Sequence, residues 1–224
     1  TTNNNMNQYY ISKAKASFKT KLNLFLYEQT LSQDKWSLTL ESFNLFQINP
    51  AMVREYTTHY WQREYSEVIR LKTIREIYRS IGASLKFNAV LFKEWEGHYV
   101  RVIFPTIFPP AEFAKLTQAT RCHYCDIHVD EIAQLRNLGN LNKKKDRGLN
   151  LEVDRKDSNF EYTPDNAVMC CYWCNNAKTD EFTPDEFEII GKAIRQVWNQ
   201  RLRGNRFTDG IEGIRIIKSK EVDN

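Results

Sequence analysis

The chain has 224 residues, of which 42% are hydrophobic and 27% are charged, and its formal net charge is +4. This composition is typical of a globular protein with an ordinary core and excludes an intrinsically disordered chain. No apolar run approaches the roughly 18 residues of a membrane span, so no membrane partner is expected. The first residues lack the basic and apolar segments of a secretory signal. We therefore expect a cytoplasmic protein.

The first 110 residues predict a mainly helical region. Apolar residues recur with helical spacing through 10–32 and 52–81, and the second stretch also carries several arginines. Two shorter apolar runs, 88–92 and 99–104, predict short strands instead. A group of prolines at 105–110 then interrupts the chain. We therefore predict two domains, 1–110 and 111–224, with a short helix at 111–116 opening the second.

The cysteines of the second domain form two Cys-x-x-Cys pairs. Cys122 and Cys125 make the first pair, Cys171 and Cys174 make the second, and 45 residues separate the pairs. Two such turns together supply the four thiolates of a closed, tetrahedral structural zinc site. Disulfides are the competing interpretation, but an odd cysteine count in a chain without a predicted signal argues against them. The fifth cysteine, Cys170, is expected to be a buried bystander.

The stretch from residue 151 to 178 predicts a strand, a polar loop, a second strand and a helix. Apolar and acidic residues alternate through 151–154, as on a half-buried strand, and 166–170 predicts the returning strand. The second cysteine pair then begins a helix. This order would bring Asp154, at the end of the first strand, near Asn175 on the helix. Two oxygen ligands of this kind, completed by water, suit Mg²⁺ or Mn²⁺.

A further helix is predicted after residue 183. Thr183, Pro184 and Glu186 form a capping box with proline at the first turn, and an apolar stripe follows as far as Trp198. Gly204 is the expected stop. The stripe is interpreted as core.

Basic residues bunch at two places in the second domain. One bunch lies in the insertion between the first cysteine pair and the strand, and the other lies in the last helix. The residues that we assign to contact with an anionic partner such as DNA are Lys143, Lys144, Lys145, Arg147, Lys178, Arg195 and Arg201. The alternative is that these charges only keep exposed faces solvated.

The combined pattern resembles the HNH, or ββα-metal, nucleases. The core of that family runs Asp-His, a loop, Asn, and then Cys-x-x-Cys-Asn-x-x-Lys. The positions that match are Asp154, Asn166, Cys171, Cys174, Asn175 and Lys178. The resemblance spans about 121–204 and implies an α+β fold with a zinc-stapled ββα-metal module. It also implies a metal-dependent DNA endonuclease, in which Asn166 braces the loop between the strands.

One position departs from the family pattern. The general-base histidine is replaced by Arg155, and an arginine cannot act as a base because its pKa exceeds about 12. The sequence is similar here to the PacI-type restriction endonucleases of the family, which also carry Asp-Arg and a tyrosine in the first cysteine pair. That resemblance implies that Tyr124 initiates cleavage and that Arg155 clamps the phosphate. A histidine upstream, His98, also has a counterpart there.

The identity of the base stays open between several residues. Tyr124 would need nearby positive charge, since a tyrosine ordinarily titrates near 10. Arg155, a bound metal ion or His98 would supply that charge. The rival bases are Tyr162, His98 and His128.

The preferred interpretation is a metal-dependent endonuclease acting on double-stranded DNA, of the type II restriction or related defence class. Region 1–110 would then serve DNA recognition, dimerisation or both. Cutting both strands with one site per chain favours a homodimer. Two alternatives stay open: a homing-type nicking endonuclease, and a non-catalytic zinc-dependent DNA-binding module that keeps the fold.

Overall fold

A computed structural model describes the chain at residues 2–31, 38–55, 88–141 and 148–204. The chain divides into two compact units. Unit 1 consists of Thr1–Leu116 together with Asp157–Ala167, and unit 2 of Thr117–Lys156 together with Val168–Asn224. The domain boundary placed after residue 110 stays a prediction. Most of the helix predicted at 52–81 lies outside the described residues, as do Lys143, Lys144, Lys145 and Arg147.

Unit 1 is helical in its described part. Its elements in chain order are α1 (Thr2–Leu31), α2 (Leu40–Leu45), α3 (Ala89–His98), a π-helical turn (Tyr99–Ile103), α4 (Phe104–Ile107) and α5 (Pro110–Leu116). The helix predicted within 10–32 is confirmed and begins earlier than expected. The short helix predicted at 111–116 is also confirmed. None of the described helices combines the length and apolar character that a membrane span requires.

The strands predicted at 88–92 and 99–104 are wrong. Residues 89–98 form α3, and the backbone continues through the π-helical turn into α4 without leaving the helical region. Asn88 caps α3, because its side chain accepts hydrogen bonds from the amides of Val90 and Leu91. Trp95 on α3 and Tyr99 in the π-helical turn are both buried, so their rings gain more contact in the core of unit 1 than a strand edge would offer.

Aromatic rings fill the core of unit 1. Phe18 on α1 packs edge-to-face on Phe43 of α2, with ring centroids 5.7 Å apart, and Phe43 stacks on Trp95 at 5.1 Å. Burial of each such ring contributes about 1.5–3 kcal/mol, and favourable ring pairs add about 0.5–1.5 kcal/mol each. Eight of these rings are at most 2% exposed: Phe18, Phe25, Phe43, Trp95, Tyr99, Phe104, Phe108 and Phe113.

The loop between the two strands belongs to unit 1. Within it, Glu161 accepts a hydrogen bond from the buried hydroxyl of Tyr99, and the Tyr162 amide donates to Ser17 Oγ at 2.7 Å. Burial raises the pKa of Glu161 above its ordinary value, while the Tyr99 hydrogen bond and the positive charge of Lys21 oppose that rise. The loop thus completes the core of the helical unit with polar contacts.

Unit 2 combines helices with a small sheet. Its elements are α6 (Val129–Asn137), β1 (Glu152–Arg155), β2 (Ala167–Cys170), α7 (Tyr172–Lys178) and α8 (Pro184–Leu202). The two strands pair in a two-stranded sheet. The predicted order of strand, loop, strand and helix is confirmed, and the described chain is consistent with the α+β class.

Both longer helices of unit 2, α6 and α8, begin with a capping box. The Thr183 side chain accepts from the Glu186 amide, and Glu186 reciprocates at the Thr183 amide, so α8 begins with a complete capping box. The same arrangement opens α6, with the His128 ring as the cap and Glu131 as its partner. The predicted helix after residue 183 is therefore confirmed, and its buried face carries Phe187 and Trp198.

Candidate functional site

Four buried thiols meet at the centre of unit 2. The sulfur atoms of Cys122, Cys125, Cys171 and Cys174 all lie within 4.8 Å of one another, and we call them the four-cysteine cluster. The Cys125 and Cys171 sulfurs are 3.7 Å apart, close to the edge of about 3.8 Å that a tetrahedron with metal–sulfur bonds of about 2.3 Å requires. The cluster can therefore bind a metal ion such as zinc, as the spacing of the cysteines predicts.

The first cysteine pair is held in a tight turn. Arg121 and His128 form an antiparallel bridge across it, and the Asp126 amide returns to the Cys122 carbonyl at 2.9 Å. Asp126 has a φ of 54°, a left-handed conformation that aspartate tolerates better than most residues. The His123 amide also donates to the Met169 carbonyl at 2.8 Å, which fixes the turn to β2.

The second cysteine pair begins α7. Cys171 is the N-cap, and its sulfur accepts from the Cys174 amide at 3.5 Å. A thiolate at a helix N-terminus is favoured by the helix dipole. The residues that follow on α7, among them Asn175 and Lys178, are thereby held in place by the cluster. Cys170 is fully buried on β2 outside the cluster, in agreement with its predicted role as a bystander.

Helix α8 approaches the backbone of the first cysteine pair at Gly191. A Cβ atom at this position would lie 2.5 Å from the Tyr124 carbonyl oxygen, closer than van der Waals contact allows. The same helix places Phe187 edge-to-face on the Tyr124 ring, with centroids 4.9 Å apart. Contacts at the backbone and at the ring therefore both hold Tyr124 in position.

Asp154 on β1 meets two side chains of the candidate site. The Tyr124 hydroxyl donates to Asp154 Oδ2 at 2.9 Å, and Lys178 Nζ lies 3.7 Å from the same oxygen. Lys178 is only 1% exposed, so the alternative that this lysine merely faces solvent is wrong. Burial raises the pKa of Tyr124 above its ordinary value, and the negative charge of Asp154 raises it further.

A residue that the sequence reasoning missed, Glu152, pairs with Asn175. The Asn175 side-chain nitrogen donates to Glu152 Oε2 at 2.6 Å. Because successive side chains of a strand point to opposite faces, Glu152 and Asp154 share one face of β1, and Val153 between them is buried on the other. The sequence signal that could have identified Glu152 is its two-residue spacing from Asp154, which places a second carboxylate on the same face of the strand.

Asn166 braces the loop that joins the strands, as predicted. Its side-chain nitrogen donates to the carbonyls of Asp157 and Glu161 at 3.0 and 2.9 Å, and its oxygen accepts from the Asp157 amide at 2.9 Å. All of these contacts lie within unit 1. A catalytic part for Asn166 stays a prediction.

The rival bases have other surroundings. His98 lies in unit 1, where its ring pairs with the Asn44 side chain at 3.3 Å. Tyr162 is also in unit 1, 6% exposed and with Lys13 Nζ 5.1 Å from its ring centroid. His128 uses a ring nitrogen to cap α6. Of the four proposed bases, Tyr124 is the one for which the structure gives a hydrogen bond to Asp154.

Two of the predicted DNA-contacting arginines are engaged within unit 2. Arg195 forms a bidentate pair with Glu131, at 2.7 and 2.8 Å, and holds α8 to α6. Arg201 stacks over the Trp198 ring at 5.2 Å and donates to the Asn140 carbonyl. Both arginine side chains therefore have a structural role within unit 2. Arg155 is half-buried at the end of β1, directly after Asp154.

The donor set around Asp154 fits a hard divalent cation. Asp154 offers a carboxylate and Asn175 an amide oxygen, while Glu152, on the same face of β1 as Asp154, holds the Asn175 nitrogen. Carboxylate and amide oxygens are the ligands that Mg²⁺ and Mn²⁺ take from proteins, usually with several waters. Asp154 and Asn175 therefore carry donor atoms of the type that the predicted site needs, and both the site and the identity of its ion stay predictions.

No protein-family model and no curated protein matches the chain. Among solved structures, the chain is similar to the rare-cutting HNH restriction endonuclease PacI, at 31% identity over 44% of this chain and 68% of that one. The two superpose with a TM-score of 0.36. The chain is a distant relative of the HNH endonucleases.

Proposed function

We propose that this protein is a metal-dependent endonuclease that hydrolyses phosphodiester bonds in double-stranded DNA, in the manner of a restriction or related defence enzyme. The observation that carries the proposal is the position of Asp154. It lies on a strand beside α7, the helix that the four-cysteine cluster begins, and it meets Lys178 of that helix. The distant relationship to PacI supports the same activity.

The residues would divide the work of hydrolysis as follows. Asp154 and Asn175 would hold the divalent ion, which supplies positive charge to the scissile phosphate and the leaving oxygen when bound. Arg155 would bind the phosphate through its planar fork, a geometry that lysine does not offer. Lys178 contributes a fixed positive charge beside Asp154. A homodimer with one site per chain would cut both strands.

Tyr124 is the proposed residue that activates the nucleophile, and its surroundings define what that role requires. Its hydroxyl donates to Asp154, and both burial and the Asp154 charge oppose loss of its proton. Binding of a cation at Asp154 would remove the part of that opposition that comes from the Asp154 charge, because it neutralises the carboxylate that the hydroxyl faces. Tyr124 would therefore act only in the metal-loaded protein.

The test is DNA cleavage by the purified, zinc-loaded protein with plasmid DNA and Mg²⁺ or Mn²⁺. We expect Asp154→Ala to lower the rate at least about 100-fold, the usual cost of losing a charge-stabilising group. The matched control is Asp165→Ala, which removes an exposed carboxylate from the loop between the strands and should leave the rate unchanged. Equal cleavage by wild type and Asp154→Ala would contradict the proposal.

Two observations favour a second candidate, a non-catalytic zinc-dependent DNA-binding module. Arg155 occupies the position of the usual base, and the Tyr124 hydroxyl is bound to Asp154. This candidate predicts a wild type that is inert on random-sequence DNA with either metal ion but binds it with a steep salt dependence. Sequencing of DNA ends after incubation separates the two candidates and would also reveal a recognition sequence.

A further inference from the structure

Two pairs of side chains face each other where α7 lies against β1. Asn175 Nδ2 is 2.6 Å from Glu152 Oε2, and Lys178 Nζ is 3.7 Å from Asp154 Oδ2. The pairs are in register, since the acidic residues are two positions apart on the strand and the helical ones three positions apart on the helix. Each side chain of the proposed cation site on α7 or β1 therefore has a partner on the other element.

The Asn175 pair fixes the orientation of an amide. An asparagine side chain carries a donor nitrogen and an acceptor oxygen at its two ends, and a cation binds only the oxygen. Ionised Glu152 can only accept hydrogen bonds, so it selects the orientation in which the nitrogen faces the strand carboxylate. The Asn175 oxygen then points away from Glu152 and is available as a ligand.

We propose that Glu152 is a positioning residue that presents the Asn175 oxygen to the divalent ion by holding the Asn175 nitrogen. The inference rests on the proposed function, because it takes Asn175 as a ligand. Partners that orient a ligand in this way are worth about 10–100-fold in metal affinity. Glu152 acts through Asn175. The effect of Glu152 on metal affinity should therefore depend on Asn175, whereas the effect of a direct ligand would not.

The experiment measures Mn²⁺ binding to the zinc-loaded, full-length protein without DNA, from the electron paramagnetic resonance signal of free Mn²⁺. We expect Glu152→Leu to weaken binding about 10–100-fold. Glu152→Gln keeps an oxygen that can accept from Asn175, so it should retain more affinity than Glu152→Leu. Zinc content and circular dichroism of each variant confirm that unit 2 is folded.

The decisive comparison repeats Glu152→Leu in an Asn175→Asp background. A carboxylate has two equivalent oxygens and needs no partner to orient it, and Glu152 would now repel it. The penalty of Glu152→Leu should therefore disappear in this background. An equal penalty in both backgrounds would show that Glu152 is itself a ligand or a structural residue, and would overturn the proposal.

The remaining outcomes also decide the question. No penalty in the wild-type background, or no Mn²⁺ binding by the wild type, would overturn the positioning role. The cleavage assay with Asp154→Ala judges the nuclease function separately, so a nuclease whose Mn²⁺ affinity is indifferent to Glu152 would refute this inference alone. The side-chain amide resonances of Asn175 give an independent readout, because Glu152→Leu removes the carboxylate that they face.

Discussion

Phe18, Phe43 and Trp95 occupy the centre of unit 1, whereas four thiols occupy the centre of unit 2. The helical unit thus gains its stability from large buried rings in mutual contact. In its described residues, the other unit has a two-stranded sheet, two short helices and one long helix around its cysteines. A core this small rarely supplies more than about 3–5 kcal/mol on its own.

The difference shows where each unit can tolerate change. Buried rings stabilise unit 1 through the many contacts over their surfaces, so when one ring is truncated its neighbours keep part of those contacts. A metal site contributes through a fixed set of ligands, and its binding energy is also folding energy. The candidate site lies in the unit that depends on the metal, so its geometry should follow the occupancy of the four-cysteine cluster.

Loss of the cluster metal should give the largest effect. We expect Cys174→Ala to abolish zinc binding and to unfold unit 2, because structural zinc supplies folding energy that its small core does not. Hydrogen exchange followed by mass spectrometry should show loss of protection in β2 and α7 while α1 and α3 stay protected.

The matched control for this experiment is Cys170→Ala. Cys170 is also fully buried and directly precedes Cys171, but it lies outside the cluster. The control should keep one zinc per chain and retain protection in unit 2. Equal loss of zinc in both variants, or protection of α7 without metal, would break the contrast between the units.

Truncation of a ring in unit 1 should give the next largest effect. Phe43 is fully buried and its ring meets those of Phe18, Phe25 and Trp95. Phe43→Ala should lower the free energy of unfolding of unit 1 by about 3–5 kcal/mol and leave zinc binding intact.

The control in the same helix is Leu45→Ala, because Leu45 is 74% exposed. Its effect should stay within about 0.5 kcal/mol. Both changes in the free energy of unfolding are measured by urea denaturation, with the hydrogen-exchange protection of α1 reporting on unit 1. Loss of zinc on Phe43→Ala would show that the two units do not divide their stability as described.

The smallest expected effect is the pH dependence of the Glu131–Arg195 pair in unit 2. The Arg195 hydrogen bonds lower the pKa of Glu131 to about 2 from an ordinary value of 4.5. A lowered pKa in the folded protein stabilises it above the unfolded pKa, and this stability is lost as pH falls from about 4.5 towards 2. Since a quarter of the Glu131 side chain is exposed, the contribution is about 1 kcal/mol.

Glu131→Gln should therefore destabilise unit 2 at neutral pH. The difference in stability between this variant and the wild type should become smaller below about pH 4.5. The control is Glu188→Gln, which alters an exposed pair with Lys192 on α8 and should change nothing measurable. Thermal unfolding of the zinc-loaded proteins at a series of pH values gives the comparison. A difference that widens on acidification would contradict the assignment.

Spacing in the sequence was sufficient to predict the most local features. The cysteine pairs, the Thr183 capping box and the alternation around Asp154 each depend on residues a few positions apart, and their consequences are correct in the structure. The roles assigned to Tyr124, Arg155 and Asn175 in catalysis are predictions still.

Features that depend on distant contacts were not predictable in the same way. Val90 and Val102 favour a strand by their own preferences, yet Trp95 and Tyr99 draw the segment into a helix by packing against α1 and α2. Likewise, nothing local to Lys178 indicates its burial against Asp154, which follows from the contact between α7 and β1. Arg195 appeared to be a surface charge because its partner Glu131 lies 64 positions away.

The loop that carries Glu161 and Tyr162 has a consequence for synthesis of the chain. A ribosome delivers most of unit 1 first, but its core cannot close until Tyr162 has been added. The four-cysteine cluster cannot close until Cys174 has been added, 12 residues later. Both units therefore receive the residues that complete them almost together, although domains are ordinarily completed in order from the N-terminus. A nascent chain halted before residue 157 would hold two cysteine ligands and an unfinished aromatic core.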